Sequence, residues 1–275
     1  MKPSGLLLCL ILLPSLLSAS GDPPAGGARA AALGNAYTAV RGDVWSLFYN
    51  PAALSSLTGP SAGFAYERRF ALSSLNYGSA AFAMPFAGNQ GAGLSLSSYG
   101  FSGYIESRAG LGYGITVLKV ISVGASLNYF QVAVPDYGSA SGLMADAGLL
   151  VKVNEQIHVG FNGRNMNRAQ IRTLQGQEEL PTVFNAGLSY QPTDKVMVLA
   201  DVQKDVDHPV SFRGGIEYSP AEVLSIRAGV STEPLSLTGG VGVRWRVLRF
   251  DLASSYTSRL GYSPYFSLTG LLGKS

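Results

Sequence analysis

Leu235-Ser236-Leu237-Thr238-Gly239-Gly240-Val241-Gly242-Val243-Arg244-Trp245 decides the fold. Leu235, Leu237, Gly239, Val241, Val243 and Trp245 fall on one face of an extended chain, and Ser236, Thr238, Gly240, Gly242 and Arg244 on the other. A period of two is the mark of a β-strand. The second face is Gly, Ser, Thr and Arg, with no Lys or Glu. Upstream, Phe212, Gly214, Ile216 and Tyr218 alternate with Ser211, Arg213, Gly215 and Glu217, and Leu224, Ile226, Ala228 and Val230 with Ser225, Arg227, Gly229 and Ser231.

Working outward from this stretch, fourteen such runs are expected near residues 62–70, 75–86, 91–99, 108–117, 120–133, 143–153, 156–165, 182–191, 195–204, 210–218, 223–232, 235–245, 247–257 and 264–272. An even number of roughly ten-residue runs is what a closed bacterial outer-membrane barrel requires. Tight connections at 118–119, 154–155, 192–194, 219–222 and 246 alternate with longer ones at 135–142, 165–181, 204–209 and 258–263, apart from the short Glu233-Pro234. Phe86, Tyr190, Tyr218 and Trp245 close four runs on the apolar face, as an aromatic girdle would.

Composition agrees. Only 13% of the 275 residues are charged, against about 25% in an ordinary soluble protein. The net charge of +3 comes with no Lys/Arg cluster, so no nucleic-acid partner is expected. Residues 1–20 read as a secretory signal: Lys2, an apolar core over 6–17, then Ser18-Ala19-Ser20. Cys9 falls inside it, so the mature chain has no cysteine and no thiol chemistry. The division expected is a signal at 1–20, a plug at 21–59 and an all-β, 14-stranded antiparallel transmembrane barrel at 60–275.

No enzyme signature emerges, and no metal or cofactor is expected. His158 and His208 lie far apart, without a carboxylate or Ser at motif spacing, and His158 faces the polar side of its strand. Gly110-Leu111-Gly112-Tyr113-Gly114 and Gly239-Gly240-Val241-Gly242 superficially resemble phosphate loops, but neither opens a helix, and a crowded barrel interior accounts for both. Arg164, Arg213, Arg227, Arg244 and Arg249 share the inward face with Asp201, Glu217 and Asp251. They read either as internal ion pairs that hold a plug, which the interleaved acids favour, or as an anion pathway.

Residues 27–54 are different material. They are rich in Ala and Gly, with Asp43-Val44-Trp45 and then Asn50-Pro51-Ala52. Pro51 forces any preceding helix to stop by Phe48 or Tyr49. A barrel of fourteen strands lies between those filled by side chains and those that leave an aqueous channel, so it has room for this segment as a plug. Arg29 and Asp43 are expected to pair with the lumen charges, Trp45 and Phe48 to share a face, and Asn50, Pro51 and Ala52 to hold the turn into the first strand.

Gly-Ala-Arg-Ala-x-Ala-Leu-Gly-x-Ala from Gly27, Ala39-Val40-x-Gly42-Asp43, and Tyr49-Asn50-Pro51-Ala52-x-Leu54 together resemble the amino-terminal signature of PorV/PorQ-type outer-membrane proteins. Those are components of the type IX secretion system and are related to the FadL-like transporters. The resemblance implies the outer membrane of a Gram-negative-type bacterium, with membrane lipid and secretion-system proteins or exported cargo as partners. Non-catalytic protein secretion or surface attachment is the first expectation. A FadL-like transporter of hydrophobic small molecules is the alternative, and a purely structural barrel a third. The polar loop 165–181, with Arg168, Arg172, Glu178 and Glu179, ranks secretion first because it offers no greasy surface for collecting ligands.

Overall fold

The computed structural model describes residues 26–86, 88–173 and 176–272; the expected signal sequence lies outside them. The strands are β1 (Ser61–Arg68), β2 (Asn76–Phe86), β3 (Gln90–Phe101), β4 (Tyr104–Leu118), β5 (Ile121–Val134), β6 (Gly138–Lys152), β7 (Ile157–Arg164), β8 (Gln170–Thr173), β9 (Gly176–Glu179), β10 (Val183–Thr193), β11 (Val196–Asp205), β12 (Ser211–Ala221), β13 (Leu224–Thr232), β14 (Leu235–Trp245), β15 (Leu248–Thr257) and β16 (Gly261–Leu271). Fourteen of them pair antiparallel with their neighbours, and β16 closes on β1 from Ser61↔Leu271 to Glu67↔Tyr265. The barrel leaves no free sheet edge, as a membrane demands. The β8–β9 hairpin stands apart, within the connection between β7 and β10.

All fourteen expected runs are barrel strands, with some ends displaced. β6 begins at Gly138 rather than near 143, because Ser139, Ala140, Ser141 and Gly142 pair with Ala133, Val132, Gln131 and Phe130. Those small residues carry no readable alternation, so the sequence suggested a loop at 135–142 where the chain is mostly strand. β4 and β16 likewise start earlier than expected, at Tyr104 and Gly261. Only residues 165–182 then remain as a long connection, and they mark the extracellular rim.

The outward face is apolar. Leu94, Leu111, Leu127, Phe161, Leu188, Phe212, Ile226, Leu237 and Leu252 all point away from the lumen and are exposed. Phe86, Tyr190, Tyr218 and Trp245 are exposed at the turn-side ends of β2, β10, β12 and β14. An apolar band of this extent is not stable against water; around a closed barrel it is the lipid-facing surface of an outer-membrane protein of a Gram-negative-type bacterium. No described helix is long and apolar enough to cross a membrane, so strands make the crossing.

The lumen is occupied by the N-terminal segment: helix α1 (Gly27–Ala32) and two 3-10 turns, Val44–Phe48 and Pro51–Ser56. Each turn is capped by the residue before it. Asp43 Oδ1 accepts from Trp45 N at 3.0 Å, and Asn50 Oδ1 from Ala52 N at 3.1 Å, satisfying backbone donors that a helix start leaves free. Pro51 at the head of the second turn ends the first one at Phe48, with Tyr49 as its C-cap.

Leu33, Tyr37, Val40, Val44, Trp45, Leu47, Phe48 and Leu54 form the plug's core and pack against Ala65, Ala81, Ala83 and Leu199 of the wall. Trp45 is fully buried, its Nε1 donates to Thr269 Oγ1 at 3.0 Å, and its ring lies 6.0 Å from that of Phe48. Wall and plug approach through inward glycines. A Cβ on Gly112 would run into Leu47, on Gly114 or Gly124 into residues 51–52, on Gly148 into Asn50, and on Gly240 into Ala32. Gly112, Gly114 and Gly240, from the two stretches that resembled phosphate loops, belong to this belt, where nothing larger than hydrogen fits.

Candidate functional site in the plugged lumen

On the side of α1, six charged groups from the plug and three strands close into a ring. Arg29 donates to Glu217 through Nη2 at 2.7 Å and Nε at 2.8 Å, and to Asp43 through Nη1 at 2.9 Å. Glu217 on β12 also pairs with Arg227 on β13, whose Nη1 donates to Asp251 Oδ1 on β15 at 2.8 Å. Arg249 Nε donates to Asp251 Oδ2 at 3.0 Å, and its Nη2 returns to Asp43 Oδ2 at 2.9 Å. Three cations and three anions alternate around the ring, so the cluster is neutral as a whole.

Tyr37 adds its hydroxyl to Asp43 Oδ2 at 2.8 Å. Burial alone would push the Asp43 carboxyl up. Arg249 and Arg29, with the Trp45 N–H and the Tyr37 hydroxyl, hold it well below the usual carboxylate range. Of the sequence candidates, Arg29, Asp43, Glu217, Arg227, Arg249 and Asp251 thus meet in one structure that joins plug to wall. The ion-pair reading describes this side. Arg244 shares their inward face but sits exposed at the end of β14 and joins none of the pairs.

The other candidates lie across the lumen, toward β7, β10 and β11. Asp201 Oδ2 accepts from the backbone N–H groups of Tyr37 and Thr38 at 2.9 Å each. Asn50 Nδ2 donates to Thr38 O at 2.9 Å and to Leu149 O of β6 at 3.0 Å, while Pro51 and Ala52 press on β4 and β5. Arg164 and Arg213 face a cavity above Thr38. His158 lies below it, its Nε2 at 2.7 Å from Arg41 Nη1; an arginine only donates, so this ring nitrogen is the acceptor.

Sequence reasoning missed Tyr37, Thr38 and Arg41. A lone aromatic in an Ala- and Gly-rich run was the one available signal, and it was Tyr37.

The extracellular end adds structure to the polar loop. Residues 165–181 are polar in composition, yet they fold into the β8–β9 hairpin, whose alternation turns Ile171 inward and leaves Arg172 exposed. Ile171 and Leu180 pack on Phe130 of β5 and Met144 of β6, with Val132, Ala140 and Ala169 at the margin. Asn165 fastens the base of the loop, accepting from Ala169 N and donating to Leu180 O, both at 2.8 Å. The apolar side chains of this loop are thus buried against the wall, and its outer face stays polar.

No family model matches the chain, and no curated protein does. Among solved structures, it is similar to the toluene transporter TodX from P. putida, at 14% identity and a TM-score of 0.72, over 92% of this chain and 100% of that one. The monoaromatic hydrocarbon channel CymD matches at 14% identity and 0.67, over 90% and 98%, and a Pseudomonas aeruginosa FadL homologue at 12% and 0.65, over 91% and 99%. At these identities the likeness is one of fold: a FadL-like barrel. The PorV/PorQ side of the expectation receives no support from these matches.

Proposed function

We propose that the protein admits small hydrophobic molecules across the outer membrane, as a non-catalytic channel of FadL-like architecture. The observation that carries this reading is the likeness of barrel and plug together to hydrocarbon channels, over at least nine-tenths of both chains. Apolar pockets with few polar groups are where such ligands bind; at the extracellular end the apolar cluster of Phe130, Met144, Ile171 and Leu180 is buried beneath the β8–β9 hairpin, which an entering ligand has to displace. The secretion-component reading rests on the resemblance of residues 27–54 and on the polar outer face of loop 165–181.

The test is uptake of radiolabelled toluene by a bacterial host that lacks its own such channel. Cells making the protein should accumulate label faster than cells without it, and Met144→Asp should lower the rate while leaving the barrel folded. Equal rates with and without the protein would end the reading. Recovery of exported proteins bound to the loops, with no effect on uptake, would restore the secretion alternative.

A further inference from the structure

Two cavities lie one above the other along β7, β10, β11 and β12. The upper one is narrow, about 20 Å³, with room for little more than one water, and is bounded by Arg164, Asn185, Gln203 and Arg213 of the wall and by Tyr49 of the plug. The lower one, about 680 Å³ including the solvent it opens onto, is bounded by Arg41, His158, Gln191, Lys195 and Ser219. Thr38 lines the first and Ala39 the second. A single thickness of backbone separates them.

That backbone is held to the wall by single hydrogen bonds rather than by a closed ring of ion pairs. It runs between Tyr37 and Asp43, both members of the charged cluster; Asp201 and Asn50 tie it at Thr38, Arg41 reaches His158, and the plug's own Ser46 and Ser56 hydroxyls bond Val40 O at 3.2 Å and Gly42 N at 2.9 Å. It packs closely on Gly160 and Gly187, where the wall has no side chain of its own. Gly42, with φ of +65°, stands in the left-handed region that favours glycine and supplies a bend at its far end.

The charges along this side are unlike those of the ring. Among the described residues, Arg164 has no carboxylate within ion-pair reach, and its Nε is buried without a partner. Arg41 donates to a neutral imidazole nitrogen rather than to an acid. The acids that border the lower cavity are engaged or exposed: Glu217 in the ring, Glu155 with Lys152 at 2.6 Å, and Asp194 out in the turn. A guanidinium taken from water without a counter-charge is costly, and a passing anion offsets that cost.

We propose that this side of the barrel is a second permeation path, for small hydrophilic anions such as carboxylates, with residues 38–42 as its gate and Asp201 as the latch. The path is separate from the apolar mouth and does not depend on hydrophobic uptake. An anion entering from outside meets Arg164 and Arg213 with the amides of Asn185 and Gln203, passes the gate, and leaves by Arg41 and Lys195. Cations meet a guanidinium on each side of the gate, Arg164 above and Arg41 below, and are turned back.

The experiment is conduction by the full mature protein in planar bilayers under a KCl gradient. Wild type should open rarely and Asp201→Ala often, with a reversal potential of the sign set by chloride. Adding Arg164→Gln to Asp201→Ala should shift that potential toward zero. Toluene uptake by cells carrying Arg164→Gln should match wild type, so failure here and failure of the hydrophobic reading are told apart. A folded Asp201→Ala protein that is silent or cation-selective overturns the proposal. A second measurement needs no loosened latch: Thr38→Cys, in a mature chain without other thiols, should react severalfold faster with an anionic than with a cationic methanethiosulfonate of similar size. Equal rates, or faster reaction with the cation, overturn it equally.

Discussion

The plug is held differently on its two sides. Toward β12–β15 it is bound by a closed ring in which every charge has two oppositely charged neighbours. Toward β6–β11 it rests on glycines and is tied by separate hydrogen bonds: the Asp201 carboxylate to its backbone, the Asn50 amide to Leu149 O and Arg41 to the neutral His158, with no ion pair among them. A ring of ion pairs out of water is stable only when complete, since removing one member strands its neighbours. Backbone hydrogen bonds at a smooth wall can be broken and remade one at a time. One side therefore anchors, and the other is where movement can occur.

The largest expected effect comes from opening the ring. Asp251 is fully buried and accepts from both Arg227 and Arg249. Asp251→Ala leaves two guanidinium groups short of a counter-charge and should cost about 3–5 kcal/mol. Asp201→Ala removes the acceptor of two backbone N–H groups and should cost about 1–3 kcal/mol. Urea unfolding in detergent measures both. Equal costs would erase the distinction between the two sides.

Next comes the glycine belt. A Cβ on Gly124 runs into Ala52 N, whereas one on the outward Gly239 meets nothing nearer than Arg227 O at 3.6 Å. Gly124→Val should cost about 1–3 kcal/mol by overpacking, and Gly239→Ala should be close to neutral. If both are neutral, the plug sits more loosely than this contact implies.

These contrasts also show what the sequence could reveal. The barrel was legible because each strand must face lipid on alternate residues, which leaves a period of two in Leu235 to Trp245 and its neighbours. Legibility ended where that demand ended, at Gly138 to Gly142, whose small side chains blur the pattern. The types of residue in the ring were legible, since Arg and Asp on an inward face need partners. The pairing was only partly so. Glu217 and Arg227 are direct cross-strand neighbours, but Arg227 reaches Asp251 past Gly242 of the intervening strand. That contact depends on barrel register and on Gly242 having no side chain. Asp201 gripping the backbone of residues 37–38 left no trace in composition, nor did the burial of Ile171 and Leu180 beneath a polar hairpin.

A smaller effect tests the tie at Asn50. Asn50→Leu keeps the volume but leaves Thr38 O and Leu149 O without their donor and Ala52 N without its cap. About 1–3 kcal/mol should be lost, with the ring intact. Hydrogen exchange should then rise at residues 38–42 and stay unchanged in α1. Faster exchange in both would mean that the plug moves as one body.

The smallest effect is expected from acid, and its sign follows from Asp43, which belongs to the plug rather than to a spanning strand. Its folded carboxyl is held below the ordinary value of about 4 by Arg249 and Arg29, against the upward push of burial. The stability this provides is therefore fully present above that ordinary value, and it is lost only as pH falls through the depressed one. Trp45 and Trp245 are the two tryptophans, and Trp45 is buried in the plug while Trp245 faces lipid. In a Trp245→Phe protein, Trp45 alone reports on the plug. Its emission should be constant from pH 8 to about 5 and shift to the red only below about 4. A red shift near pH 6 would show that the plug is released by some other titrating group, and that the ring does not set its hold.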